Sequence, residues 1–192
     1  MENDSDPDDA ALIRRNFAAL FDRHAPHIHR YLARRLGDQS ADDLVAETFL
    51  TAFRRRASFR ADQRDARPWL YGIATHLVAQ HRRDEVRRLR LHQAVVPEPD
   101  TACHADRVAA DVTAAALRTT LTLALADLTD GDRDVLLLIV QEELSYEQVA
   151  AALDIPVGTV RSRLNRARTQ LRAALGGSNP LTSSIDEEVR HG

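Results

Sequence analysis

Arg161, Arg163, Arg166, Arg168 and Arg172 fall within nineteen residues, 157–175, that hold no acidic side chain, in a chain whose net charge is −3. A guanidinium is a permanent planar cation whose forked donors match a phosphate. Turned at about 100° per residue, the segment shows Val160, Leu164, Ala167 and Leu171 as one apolar stripe that must be buried. Opposite it stand Ser162, Asn165 and Thr169. Arg161, Arg168 and Arg172 flank one edge of that polar face, and Arg163 and Arg166 flank the other, with Thr159 in the first turn. Short hydrogen-bonding groups between two shoulders of cations suit a helix in a major groove, where the centre reads base edges and the shoulders hold phosphates. The alternative is a solvated amphipathic helix, but such faces ordinarily mix both signs of charge.

A second constellation lies earlier. Trp69, Gly72, His76, Gln80, Arg83 and Arg87 share one face of a helix whose buried stripe is Leu70, Ile73, Ala74 and Leu77. The loop before it, "RRRASFRADQRDAR", adds Phe59 and Arg60. An aromatic, two hydrogen-bonding side chains and arginines in line make a track for a single strand, on which bases stack and phosphates pair. For Trp69 by itself, core packing is the competing reading. A third group is acidic: Asp42, Asp43 and Glu47 crowd the start of another helix, with Leu44, Val45 and Thr48 between them. The helix dipole favours acids there. A protein-docking face is the other reading, because this surface repels DNA.

Other chemistry finds little support. His24, His27 and His29 form the one histidine cluster, and no cysteine or glutamate completes a metal set around them. Cys103 is the single cysteine, which rules out an internal disulfide and fits a reducing cytoplasm. There is no phosphate loop and no nucleophile arrangement. No catalytic residue, metal ligand or cofactor site is therefore expected. Nor is membrane insertion, since no stretch nears the roughly 18 apolar residues of a span and the acidic N-terminus lacks a signal-peptide pattern. All 26 basic residues are arginine, a bias that GC-rich codons explain, but their placement is uneven. Residues 97–147 carry eleven acids and three arginines, a net of −8; residues 54–90 carry eleven arginines and four acids, a net of +7; residues 157–175 are +5. Two basic blocks separated by an acidic one point to two contacts with a polyanion.

The elements that must position these groups are all helical. An acidic, disordered lead is expected over 1–10. Helices are expected over about 10–24, from Pro26 to a C-cap at Gly37, and from a cap at Ser40 or Asp42 through Phe53. A long helix with Pro68 in its first turn runs to about Leu91. A linker follows at 93–104. Then come an apolar helix from Val108 to Leu128, another capped by Thr129, and two more separated by Asp154-Ile155-Pro156. Ser145 and Gln148 form a capping box for the first of that pair, and Asp154 tolerates the left-handed turn between them. A disordered tail is expected over 176–192. The fold class is all-α: two small helical domains, 11–92 and 105–175, on a flexible linker, the second a helix-turn-helix domain.

"DDLVAETFLTAFRR", "RPWLYGIATHLVAQHRR" and "LADLTDGDRDVLLL…LSYEQVAAALDIPVGTVRSRLNRAR" resemble the extracytoplasmic-function sigma factors of bacterial RNA polymerase, over about 17–91 and 106–175. The resemblance implies a promoter-specific initiation factor without the middle domain of housekeeping sigma factors. It implies core RNA polymerase (clamp coiled coil and flap), promoter DNA and an anti-sigma factor as partners, in the cytoplasm. Carried over, Asp42, Asp43, Leu44 and Glu47 touch polymerase. Phe59, Arg60, Trp69, His76, Gln80 and Arg83 lie on the melted −10 strand. Thr159, Arg161, Ser162, Arg163, Asn165 and Arg166 meet the duplex −35 element. His76 stands where the family usually has Asn, and Asn165 where Phe or His is common, so the preferred promoter is expected to differ. A stand-alone helix-turn-helix regulator is the alternative reading of the same residues.

Overall fold

The computed structural model describes residues 8–59, 65–93 and 112–175, with the side chains of 91–93 and 112–118 left aside. The segments 1–7, 94–111 and 176–192, and so most of the expected lead, the linker and the tail, lie outside the described residues, as do Arg60 and Val108. Within them are eight α-helices and no strand. Helices α1 (Asp9–Arg15), α2 (Phe17–Leu36), α3 (Asp38–Arg54) and α4 (Arg67–Gln93) form the first domain. Helices α5 (Val112–Asp127), α6 (Asp130–Val140), α7 (Tyr146–Leu153) and α8 (Val157–Ala174) form the second.

Three expected helix boundaries differ. The helix expected over 10–24 is two helices, because Asn16 ends α1 and its side chain accepts from the Ala19 N–H to start α2 at 3.2 Å. Pro26 starts nothing; it sits inside α2. The ring removes one N–H and frees the Asp22 carbonyl, but both residues are on the solvent side. Leu20 and His24 before it and Ile28, Tyr31 and Leu32 after it are buried on the other, which holds the helix together across the gap. Helix α3 begins at Asp38 with no side-chain cap. Neither Ser40 nor Asp42 serves, since Gly37 at φ +85° turns the chain straight from one helix into the next. The expected caps at Thr129 and Ser145 are present, the latter as a full capping box with Gln148, and Asp154 adopts the left-handed conformation at φ 51°.

The expected disorder also stops early. Asp8 caps α1, and Asp9 is buried. Its carboxylate accepts from the Ala66 N–H at 2.8 Å and Arg23 Nη1 at 3.0 Å, and meets His24 Nε2 at 3.0 Å. Burial works to raise this carboxyl, but the His24 and Ala66 hydrogen bonds, with Arg23, hold it below its ordinary value. One side chain thus ties α1 to α2 and to the residue where the arginine-rich loop rejoins α4.

The first core gathers Leu20, Ile28, Leu32, Phe49, Leu70 and Val78; the second gathers Leu128, Val135, Leu138, Val149, Val160 and Leu164. The two are continuous as one buried cluster. They join where α7 lies on the start of α4 and the α6 N-terminus faces the ends of α2 and the middle of α4.

Candidate nucleic-acid interface

The stripe required to be buried on α8 is buried: Val160, Leu164 and Ala167 are inside and Leu171 is half-buried against them. Ser162, Asn165 and Thr169 are exposed opposite, as are Arg161, Arg166, Arg168 and Arg172. Ser162 Oγ donates to the Thr159 carbonyl at 3.0 Å, which turns that hydroxyl back toward its own helix. Arg161 lies over the Tyr146 ring at 5.8 Å, so the first helix of the pair steadies it. The two arginines of the other shoulder are held differently. Arg166 Nη2 pairs with the buried Asp132 at 3.0 Å, and the half-buried Arg163 guanidinium lies against Gly131, where an added Cβ would come within 2.7 Å of Nη1. Both brace α8 on the start of α6.

On α4, His76, Gln80 and Arg83 are exposed and Trp69 is half-buried. The Trp69 and Phe59 rings meet at 5.1 Å, tilted by 57°, so the loop aromatic and the helix aromatic form one platform. The stripe runs clear from His76 onward. At Gly72 it does not: the Ala152 carbonyl at the end of α7 stands 2.7 Å from where a Cβ would be.

On α3, Asp42, Asp43 and Glu47 are exposed, and Asp42 Oδ1 meets His29 Nε2 at 3.2 Å. Leu44 belongs elsewhere. It is 5% exposed, inside the core with Val45 and Phe49, because its position points it at α2 and α4. The exposed neighbour of Glu47 is Leu50, 47% exposed. The three histidines of the α2 cluster point apart: His24 to Asp9, His27 to Arg30 at 2.7 Å, and His29 to Asp42.

The chain matches the sequence model of Sigma-70 region 2 over residues 20–88 and that of Sigma-70, region 4 over residues 118–171. It is 43% identical to the probable RNA polymerase sigma-C factor of Mycobacterium bovis over 136 residues, 70% of this chain and 69% of that one. The chain belongs to the ECF sigma factors of the sigma-70 family. This sigma factor is also 34% identical to the ECF RNA polymerase sigma factor SigL of Mycobacterium tuberculosis, over 87% of its own length and 90% of the relative's. Among solved structures it is similar in fold to the sigma factor RpoE of Bartonella quintana, in complex with the anti-sigma factor NepR, at TM-score 0.67 and 23% identity, covering 86% of this chain and 99% of that one. CnrH, in complex with the cytosolic domain of CnrY, matches at TM-score 0.61 and 25% identity, covering 88% and 96%. As a sigma factor it directs promoter-specific transcription. Sigma factors are regulatory rather than catalytic proteins, and no described helix is long and apolar enough to cross a membrane.

Sequence reasoning missed the groups with which the sigma factor joins its two domains. Tyr31 donates to Asp134 Oδ1 at 2.8 Å and meets Thr75 Oγ1 at 3.0 Å. Arg35, its side chain almost wholly buried, pairs through Nε with Asp134 at 2.8 Å and through Nη2 with Asp130 at 3.3 Å. Arg82 pairs with the same Asp130 and donates to the Arg35 carbonyl at 3.0 Å. Tyr71 donates to Glu142, and Gln148 Nε2 donates to Asp65 Oδ2 at 2.9 Å. Burial raises the Asp134 carboxyl although Arg35 opposes the shift. The signal was present as the contrast between the acidic block and the arginines, but charge totals do not say which residues meet.

Proposed function

We propose that this sigma factor divides promoter recognition between its two domains. The first, 11–92, holds core polymerase through Asp42, Asp43 and Glu47 and takes the melted −10 strand along Phe59, Arg60, Trp69, His76, Gln80 and Arg83. The second, 105–175, reads the duplex −35 element with Thr159, Arg161, Ser162 and Asn165, while Arg163 and Arg166 brace the helix and offer charge to the backbone. The observation that carries this reading is the acid-free exposed face of α8, with Asn165 at its centre and arginines on both sides. The chain works with core polymerase in the cytoplasm, bound to its clamp coiled coil and flap, as a non-enzymatic factor. An anti-sigma factor is its regulator, by analogy with the partners of RpoE and CnrH.

The test is transcription with core polymerase on a random promoter library. Two conserved blocks at −10 and −35 spacing support the reading, and specific duplex binding without polymerase sinks it in favour of a stand-alone regulator. His76→Asn in the same assay should change the base preferred at one −10 position, because an amide and an imidazole offer different donor and acceptor sets. A uniform loss of activity at every position would mean that His76 reads no base.

A further inference from the structure

Among all serines and threonines of the chain, Ser58 alone has arginines both two and three positions before it, and Arg54 extends the row. Residues 53–58 are all exposed. Ser58 lies just beyond α3, at the end of a single 3-10 turn over Arg56–Ser58. That turn rests on the Ser58 N–H to the Arg55 carbonyl at 2.8 Å and the Phe59 N–H to the Arg56 carbonyl at 3.3 Å. So short a 3-10 segment, with its poorer hydrogen-bond geometry, opens at little cost. Other hydroxyls near arginines are placed differently. Ser162 and Thr169 sit inside α8, where the backbone is committed to helix, and the Ser162 hydroxyl is turned back on the Thr159 carbonyl.

We propose that Ser58 is a phosphorylation site for an arginine-directed serine kinase, and that its phosphate switches off capture of the −10 strand by the loop and α4. The second half rests on the reading of Phe59, Trp69 and α4 as the strand site. A protein kinase holds its target segment extended in a cleft, and carboxylates in that cleft select guanidinium groups ahead of the target through charge-assisted hydrogen bonds. Ser58 offers an exposed nucleophile, a turn that opens and a row of exposed cations on the side such a cleft reads. In the transfer, Ser58 Oγ bonds to the γ-phosphorus of ATP as the bond to the ADP oxygen breaks. ADP leaves, and the hydroxyl proton passes to the general base of the kinase.

The product carries about −1.5 to −2 charges at pH 7, one residue before Phe59, whose ring forms the platform with Trp69. In the unmodified chain Ser58 Oγ donates to the Arg55 carbonyl at 2.7 Å, at the C-terminal end of α3. A phosphate dianion has no proton to donate there and meets the negative end of the helix dipole, so the turn is rebuilt. It draws Arg55 and Arg56 instead. Arg56 gives up only an exposed hydrogen bond to the Phe53 carbonyl at 2.8 Å and a ring contact at 4.1 Å. These guanidinium groups then serve an internal phosphate, and the phosphates of an incoming strand meet like charge. The acidic face of α3 is spared, because Glu47 lies about 10 Å back along the helix from Arg54, roughly a Debye length at physiological salt.

In the experiment the full chain is incubated with ATP and the catalytic subunit of cyclic-AMP-dependent protein kinase, a serine kinase of this specificity, and then assembled with core polymerase. Ser58→Ala is carried alongside. Tandem mass spectrometry should find a phosphate on Ser58 and none at that position in the variant. Transcription from the random promoter library should fall about tenfold or more after phosphorylation and recover on treatment with a phosphatase, while co-purification with core polymerase is unchanged. The affinity of the holoenzyme for a fluorescein-labelled pool of random single-stranded 15-mers should fall in step. Its log–log salt slope should flatten by roughly 0.7 for each strand phosphate released. Ser58→Ala should transcribe like the parent, with or without the kinase. An unmodified Ser58 overturns the site. Phosphate on Ser58 with transcription unchanged overturns the switch. Transcription lost at unchanged strand affinity keeps the switch but removes the loop from the strand site, and then it is the −10 reading that fails.

Discussion

Tyr31 and Asp134, separated by 103 positions in the chain, share a buried hydrogen bond of 2.8 Å across the domain boundary. The phenol edge also meets the Tyr71 ring, with centroids 5.5 Å apart and planes at 77°. Tyr71 makes the second such link, to Glu142. Burial, with a carboxylate beside each hydroxyl, pushes both phenols well above their ordinary value of 10. Two of the three tyrosines should therefore fail to ionise near pH 10. Spectrophotometric titration at 295 nm should show a step short by two tyrosines in the native chain and a full step in urea. A full native step would show that neither hydroxyl is buried.

Asp9 makes the stability of the first domain fall in acid. Its carboxyl is held below its ordinary value of 3.8, so its contribution is complete above that value and lost as pH falls through the lower, folded one. Asp9→Asn leaves His24 without its charged partner and takes one acceptor from Arg23. At neutral pH it should cost about 2 kcal/mol, the scale of hydrogen bonds to a charged group, and lower the melting temperature by roughly 8 °C or more. The difference from the parent chain should shrink as the pH falls below the ordinary 3.8 and through the lower, folded value. A difference that does not change with pH would remove the charge from the explanation.

Leu44 and Glu47 share a helix but have different consequences. Glu47→Arg with Asp43→Arg changes the exposed face, and should abolish co-purification with core polymerase while helicity stays the same. Leu44→Ala removes a side chain from the core and should cost about 2–5 kcal/mol of stability, reducing polymerase binding only through loss of folded protein. Retained polymerase binding by the double arginine variant would sink the docking face.

Arg166 and Arg168 separate bracing from phosphate contact. Arg168 is exposed, and Arg168→Ala should flatten the log–log salt slope of −35 duplex binding by about one unit, in line with roughly −0.9 per phosphate, at an unchanged melting temperature. Arg166→Ala strands the buried Asp132 and should also lower the melting temperature by roughly 4 °C or more, the equivalent of about 1 kcal/mol. Equal thermal effects would mean that the Asp132 pair contributes nothing.

The sequence alone determined the helices, their faces and most of their caps. Those features depend on residues three or four apart: the Val160–Leu164–Ala167 stripe, the Ser145–Gln148 box, the left-handed Asp154. Such short-range terms are complete in any local window, and so were the two basic faces. Two helix boundaries failed for different reasons: the break at Asn16 is a local cap that the apolar spacing hid, and Pro26 sits mid-helix because buried residues on both sides hold α2 together. Leu44 lies inward on the apolar side that its own spacing predicts, so what failed there was the polymerase contact carried over from the resemblance. Tertiary structure alone decided which acids meet which arginines. Asp134 finds Arg35, Glu142 finds Tyr71, and the Ala152 carbonyl finds Gly72 only after two helical domains dock, because electrostatic and steric pairing depends on separation in space, which sequence distance does not encode.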